Sequence, residues 1–130
     1  MLLCLKLTKC SRQMKTVAQQ TGGRGEDLAL GFLIKEGYKL LERNFRYRHA
    51  EIDLILRKGA LLVFVEVKTR RNAEYGYPEE FVSKNQAKQI IRAAEQYILK
   101  TDWQGNIRFD IVSILTDPSL SITHLPDAFY

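Results

Sequence analysis

The chain is poor in the residues on which many enzyme centres are built. Its 130 residues hold two histidines, His49 and His124, and two cysteines, Cys4 and Cys10. The cysteine spacing matches no zinc pattern and no histidine lies near it, and neither histidine falls in a motif. Reduced thiols are the default expectation, and neither cysteine is given a role. There is no glycine-rich nucleotide loop and no Ser/His/Asp arrangement. No run approaches the ~20 apolar residues of a membrane span. Residues 1–7 are apolar, but the stretch is too short for a signal-peptide core and Lys6 interrupts it. A cytoplasmic protein without a membrane partner or nucleotide cofactor is expected.

Acid is absent from the first twenty residues. Lys6, Lys9, Arg12 and Lys15 make that segment +4, which leaves +1 for the other 110 residues of a chain whose net charge is +5. Global basicity is therefore a weak argument for nucleic acid. Residues 1–20 read as a flexible basic arm, and 21–130 as one domain with no internal repeat. The local distribution is more informative. Arg43, Arg46, Arg48, Lys68, Arg70, Arg71, Lys84, Lys88 and Arg92 cluster in the middle of the chain. Bases gathered there suit a polyanion.

What is present in quantity is a β-hairpin signal over residues 51–70. Two runs rich in β-branched and aromatic residues flank a turn containing Gly59. With Lys58-Gly59 as the turn, Asp53 opposes Phe64 and Glu51 opposes Glu66. Side chains alternate between faces along a strand. Glu51, Asp53, Glu66 and Lys68 then share one side, and Ile52, Leu54, Leu56, Val63, Val65 and Val67 the other. Like charges facing one another on a sheet repel. A divalent cation would offset that, because hard cations take carboxylate oxygens. Neighbouring Lys or Arg, or solvation of the whole face, are the alternatives that the pattern leaves open.

The remaining elements follow from periodicity. A helix over about 23–36 carries the stripe Leu28, Ala29, Phe32, Leu33 and stops at Gly37. Glu26 flanks that stripe near the first turn, where the helix dipole favours an acid. Residues 38–47 read as the first strand, with Arg46 and Arg48 at its exit as candidate phosphate contacts. His49 reads as a loop residue. Residues 70–78 form a loop in which Arg70 and Arg71 precede Tyr75 and Tyr77, a pairing suited to nucleic acid. Ser83 and Gln86 form a capping box for a helix to about Lys100. Lys84 in its first turn opposes the dipole and so hints at another task, such as meeting phosphate or the carboxylates. Residues 107–115 and 120–125 read as the last two strands. Asp110 reads as structural, and His124 shows no constellation.

Taken in order, Gly-Arg-Gly-Glu-Asp-Leu-Ala, Arg-Asn-Phe-Arg-Tyr-Arg, Glu-Ile-Asp-Leu-Ile, Phe-Val-Glu-Val-Lys-Thr-Arg, Tyr-Gly-Tyr-Pro, Lys84 and Arg-Phe-Asp-Ile-Val resemble the uncharacterised bacterial YraN-like family. That family is a branch of the PD-(D/E)XK restriction-endonuclease-like superfamily, similar to archaeal Holliday-junction resolvases. The match covers roughly residues 22–116. Asp53 stands for the first acid and Glu66-Val67-Lys68 for the second half of the signature. Ile52 precedes Asp53 where the signature's name has proline, a departure many members share.

The resemblance implies an α/β, three-layer fold with a central mixed sheet of about five strands flanked by helices. It implies Mg²⁺ or Mn²⁺ held by Asp53, Glu66, the Val67 carbonyl and Glu26, with Lys68 acting on the attacking water. It implies DNA as substrate, the likeness to resolvases suggests branched DNA, and symmetric cutting of a junction would require a homodimer. Two alternatives stand beside this reading. One is a non-catalytic nucleic-acid-binding module, and the other is an interaction domain whose acids are neutralised internally.

Overall fold

The computed structural model describes the backbone of residues 17–71 and 82–129, and the side chains from 23 onward within those ranges. Seven elements follow in order. They are α1 (Val17–Lys35), β1 (Lys39–Tyr47), β2 (Ala50–Lys58), β3 (Leu61–Arg70), α2 (Lys84–Thr101), β4 (Asn106–Leu115) and β5 (Ser121–Leu125). The strands form one sheet in the order β1-β2-β3-β4-β5. Only the β3–β4 pair is parallel, and α2 is its crossover. This is the mixed five-stranded α/β architecture of a restriction-endonuclease-like fold.

The central strands are apolar on both faces because a helix covers each. Leu54, Leu56, Val63, Val65, Val112 and Ile114 pack with Ala29 and Leu33 of α1. Ile55, Leu62, Phe64 and Phe109 pack with Ile90, Ala93, Ala94 and Tyr97 of α2. Phe64 stacks on Phe109 with ring centroids 5.3 Å apart, and Tyr97 meets Phe64 and Phe45 edge-on. The expected division of the hairpin into one apolar and one charged face therefore does not hold. The carboxylates and Lys68 occupy only its open end.

Two boundaries differ from the sequence expectation. The helix expected from about residue 23 begins at Val17, so residues 17–20 are helical. Gly22 and Gly23, each costing about 1 kcal/mol against alanine, do not stop it. Residues 1–16, with both cysteines, lie outside the described residues. So do residues 72–81, which include Tyr75 and Tyr77. The hairpin turn is Gly59-Ala60, because Lys58 pairs with Leu61. Gly59, first of the two central residues, takes the positive φ of +60° that a two-residue turn needs.

Away from the acidic end, Asp110 is fully buried and serves as an anchor. Arg108 donates to it twice, at 2.8 and 2.7 Å. Asp127 N–H donates at 3.0 Å, and His124 Nε2 lies 2.6 Å from its Oδ2. Arg108 also donates to the Tyr38 hydroxyl at 2.8 Å. The guanidinium, imidazole and N–H hold this carboxyl below the ordinary carboxylate range against the opposing effect of burial. Asp110 is structural, as expected. His124 does belong to a constellation, which the sequence hides because its partner is fourteen residues away.

Candidate active site

Moving the turn by one residue shifts the pairing register by two and changes which residues meet. Ile55 now pairs with Phe64, and the β2–β3 ladder ends at Leu54↔Val65. The next residue outward on each strand is an acid, Asp53 on one and Glu66 on the other. A shift of two preserves the faces but replaces the expected Asp53–Phe64 opposition with a direct carboxylate pair.

The sheet is irregular on the other side of Asp53 as well. Asn44 lies between the pairs Arg43↔Leu54 and Phe45↔Ile52, and its φ is +52°. Across this point the strands exchange faces. Arg43 and Leu54 turn towards α1, while Phe45 and Ile52 join the cluster beneath α2. Ile52 therefore does not share a face with Leu54, as simple alternation would require. Asp53 stands at the crossing.

Each carboxylate has one oxygen held by a donor. Val67 N–H donates to Asp53 Oδ2 at 2.8 Å, and Gln86 Nε2 donates to Glu66 Oε2 at 3.0 Å. Asp53 and Glu66 retain 9% and 8% of their accessible surface. Burial and the adjoining Glu66 carboxylate push Asp53 up to about 9. Two acids this close and this dry cannot both ionise cheaply without a cation. They form the floor of a cavity of about 270 Å³. His49, Ala50 and Glu51 line one side, and Gln86, Gln89 and Ile90 of α2 the other.

The other predicted residues are placed unequally. Glu26 is half-buried on α1, and Arg43 Nη2 approaches its Oε1 at 3.5 Å. Burial raises its carboxyl, with Asp53 adding to the effect and Arg43 opposing it. Glu26 is thus within electrostatic reach of Asp53 but turned to Arg43. Lys68 lies two residues beyond Glu66 on the same side of β3. It is not among the cavity-lining residues and has no hydrogen-bond or ion-pair partner among the described residues. Glu51 pairs with Arg46 at 3.2 Å near the rim. Arg48 is exposed and rests over the Tyr47 ring. Arg70 and Arg71 are exposed where β3 ends, and Lys84 is exposed at the start of α2.

Among the described residues, no three His, Cys, Asp or Glu side chains converge as a metal cage would require. Of the expected ligand set, Asp53 and Glu66 lie side by side, and the Val67 carbonyl follows Glu66 directly in sequence. That donor set fits Mg²⁺, which commonly keeps several waters and takes one or two carboxylates with substrate phosphate.

Gln86, Gln89 and His49 line the cavity although the sequence reading gave them no part in the site. Ser83 Oγ accepts from Gln86 N–H at 3.1 Å, as in the predicted box, but the Gln86 side chain goes to Glu66 instead of returning to the cap. Its sequence signal is a polar residue in register with the buried stripe Ile90, Ala93 and Tyr97. His49 had no such signal.

The family model described as uncharacterised protein family UPF0102 matches residues 25–114. A UPF0102 protein of Flavobacterium psychrophilum is 41% identical over 110 residues, which is 84% of this chain and 92% of its own. One from Flavobacterium johnsoniae is 45% identical over 116 residues, covering 85% and 94%. One from Chloroherpeton thalassium is 48% identical over 99 residues, covering 75% and 77%. The matched span runs from the residue before Glu26 to the end of β4 and so contains both carboxylates and Lys68. The chain belongs to the uncharacterised protein family UPF0102, a member of the PD-(D/E)XK nuclease-like superfamily.

Proposed function

We propose that the protein is a metal-dependent nuclease that hydrolyses phosphodiester bonds in DNA, with branched DNA as the preferred form. The observation that carries this reading is the pair Asp53 and Glu66. They are buried side by side at the fork of two strands and hydrogen-bonded to each other, a contact that a shared cation would replace. Asp53, Glu66 and the Val67 carbonyl would hold Mg²⁺ or Mn²⁺. When bound, that ion supplies charge to the reacting phosphate and acidifies water.

The chain's own residues do the rest. Val67 N–H and Gln86 fix the rotation of the two carboxylates. Lys68, one strand repeat beyond Glu66, orients the attacking water and offsets charge that develops on the phosphate oxygens. Glu26 adds negative charge behind Asp53. The basic residues Arg46, Arg48, Arg70, Arg71 and Lys84 position the nucleic-acid backbone.

A non-catalytic nucleic-acid-binding module is the second reading. The lack of a third converging acid side chain among the described residues favours it. One experiment separates the two. Labelled linear duplex, single strand, flap and four-way junction are incubated with Mg²⁺ or Mn²⁺ and wild type, Asp53→Ala or Lys68→Ala. Metal-dependent cutting that both variants lose establishes the nuclease and names its preferred shape. Binding without cutting, unchanged by either substitution, rejects the catalytic reading.

A further inference from the structure

Glu26 is the expected third acid, and in the structure β1 holds it instead of letting it join Asp53 and Glu66. Arg43 pairs with Leu54, the residue after Asp53, and its side chain turns towards α1. There it meets two consecutive carboxylates. Nη1 lies 2.9 Å from Asp27 Oδ1, and Nη2 lies 3.5 Å from Glu26 Oε1. The Asn44 side chain is a second neighbour that favours the ionised Glu26 carboxylate. Adjacent strand residues ordinarily point to opposite faces. Arg43 and Asn44 both act on Glu26 at the point where Asn44 takes a φ of +52°.

The contact with Glu26 is not that of an ion pair built for stability. Strong arginine–carboxylate pairs are short and bidentate. This guanidinium is divided between two acids, and its approach to Glu26 stands at the outer limit of a hydrogen bond. Its Nε is buried without a partner, the only such side-chain atom among the described residues. The better bond goes to Asp27, which is largely exposed. Arg43 therefore keeps a partner when Glu26 leaves, and the departure orphans no charge. Glu26, for its part, is repelled by Asp53. A divalent cation at Asp53 and Glu66 would turn that repulsion into attraction, because the ion would be the largest local charge.

We infer that Arg43 is a positioning residue, a latch that holds Glu26 away from the Asp53–Glu66 pair in the metal-free protein and yields it to a divalent cation bound there, while Asp27 retains the guanidinium. The latch lowers the affinity for metal, since the contact with Glu26 must break before Glu26 can serve the cation. The inference rests on the metal site of the proposed function. It does not require that the site cut DNA.

The test is calorimetric titration of Mn²⁺ into wild type, Arg43→Gln, Glu26→Gln and the double variant, with thermal melts in EDTA to show that each is folded. Glu26→Gln is expected to bind Mn²⁺ about tenfold more weakly, because a carboxylate that serves the cation is lost. Arg43→Gln is expected to bind about fivefold more tightly, the scale of a partly exposed ion pair that no longer has to break. In the Glu26→Gln background the same substitution should change the affinity by less than about twofold, since the two residues act as one unit. Asp27→Asn, at an exposed position where substitution disturbs folding little, is the second variant. It leaves the guanidinium to Glu26 alone and should weaken Mn²⁺ binding in wild type but not in Glu26→Gln. Equal tightening by Arg43→Gln with and without Glu26 would mean that Arg43 acts only through its charge, and overturns the inference. So would unaltered binding in Glu26→Gln, tighter binding in Asp27→Asn, or no Mn²⁺ binding by wild type. Cutting of DNA is scored separately. Coupling between Arg43 and Glu26 without cutting rejects the nuclease alone, and cutting without that coupling rejects the latch alone.

Discussion

The backbone N–H of Val67 donates to Asp53 Oδ2 at 2.8 Å, immediately beyond the point where β2 and β3 stop pairing. A side chain replaces the ladder there. The replacement satisfies a backbone donor that would otherwise be left open at the fork, and it holds a carboxylate where a carbonyl would normally be. The strand ends thus separate without an orphaned N–H at Val67, and the space between them becomes the cavity.

Asp53 should make the metal-free protein less stable as pH rises. Its folded value is about 9 against an ordinary value of 3.8, so over that interval the folded state holds a proton that the unfolded state has released. The contribution is full below about 3.8 and declines steadily towards 9. Asp53→Asn removes this dependence. In EDTA its melting temperature should exceed that of wild type, and the gap should widen from pH 5 to pH 8. About 1 kcal/mol corresponds to roughly 4 °C in a domain of this size. A gap that stays constant between those pH values would refute the raised carboxyl.

Divalent metal should reverse that penalty. Mn²⁺ at 100 times its dissociation constant should stabilise the wild type by about 2.7 kcal/mol. It should leave Asp53→Asn and Glu66→Gln unmoved. Gln86→Leu should fold normally yet bind Mn²⁺ about 10–100-fold more weakly, because the Glu66 carboxylate would lose the donor that fixes its rotation. Calorimetric titration checks this directly, and equal affinity in Gln86→Leu and wild type would remove Gln86 from the site.

Asp110 should matter to folding and not to cutting. Replacing it with alanine leaves Arg108 without its buried partner and should cost about 3–5 kcal/mol, as for other broken buried pairs. Urea unfolding measures this. The pH sense is opposite to that of Asp53. A carboxyl held below its ordinary value of 3.8 contributes stability that is present above that value and lost as pH falls through the folded one. Lys68→Ala, by contrast, should leave the unfolding midpoint within about 0.5 kcal/mol of wild type.

Gly25 allows α1 to approach β3 closely. A Cβ there would fall on Thr69 Oγ1, and Thr69 is stiff at χ1 because a rotation only exchanges its hydroxyl for its methyl. Gly25→Ala should cost about 1–3 kcal/mol through overpacking. It should also displace the neighbouring Glu26. Adding Thr69→Ala should recover most of the loss, and thermal melts of the single and double variants decide the matter. Additive losses in the double variant would mean that the close approach is not the cause.

Much of this protein follows from short-range pattern. Period-two and period-3.6 stretches locate five strands and two helices to within a few residues, apart from the early start of α1, because burial of one face imposes those periods on any sequence that packs. Ser83 marks the start of α2 for a similarly local reason: its hydroxyl satisfies a donor three residues away. The ordered motifs around Asp53 and Glu66-Val67-Lys68 identify the family for a related reason, since chemistry at a fork of adjacent strands keeps its residues close in sequence.

The tertiary structure decided what depends on register and on distant partners. Moving the turn by one residue changed the opponent of Asp53 from Phe64 to Glu66, and nothing in the composition of Arg57-Lys58-Gly59-Ala60 distinguishes the two turns. The exchange of faces at Asn44 and Asp53 separated Ile52 from Leu54, which alternation alone would have kept together. Gln86 reached Glu66 across twenty residues, and His124 reached Asp110 across fourteen. The first forms when α2 docks on the sheet and the second when β5 pairs with β4, so both depend on contact between elements and leave little mark on the sequence within any one of them.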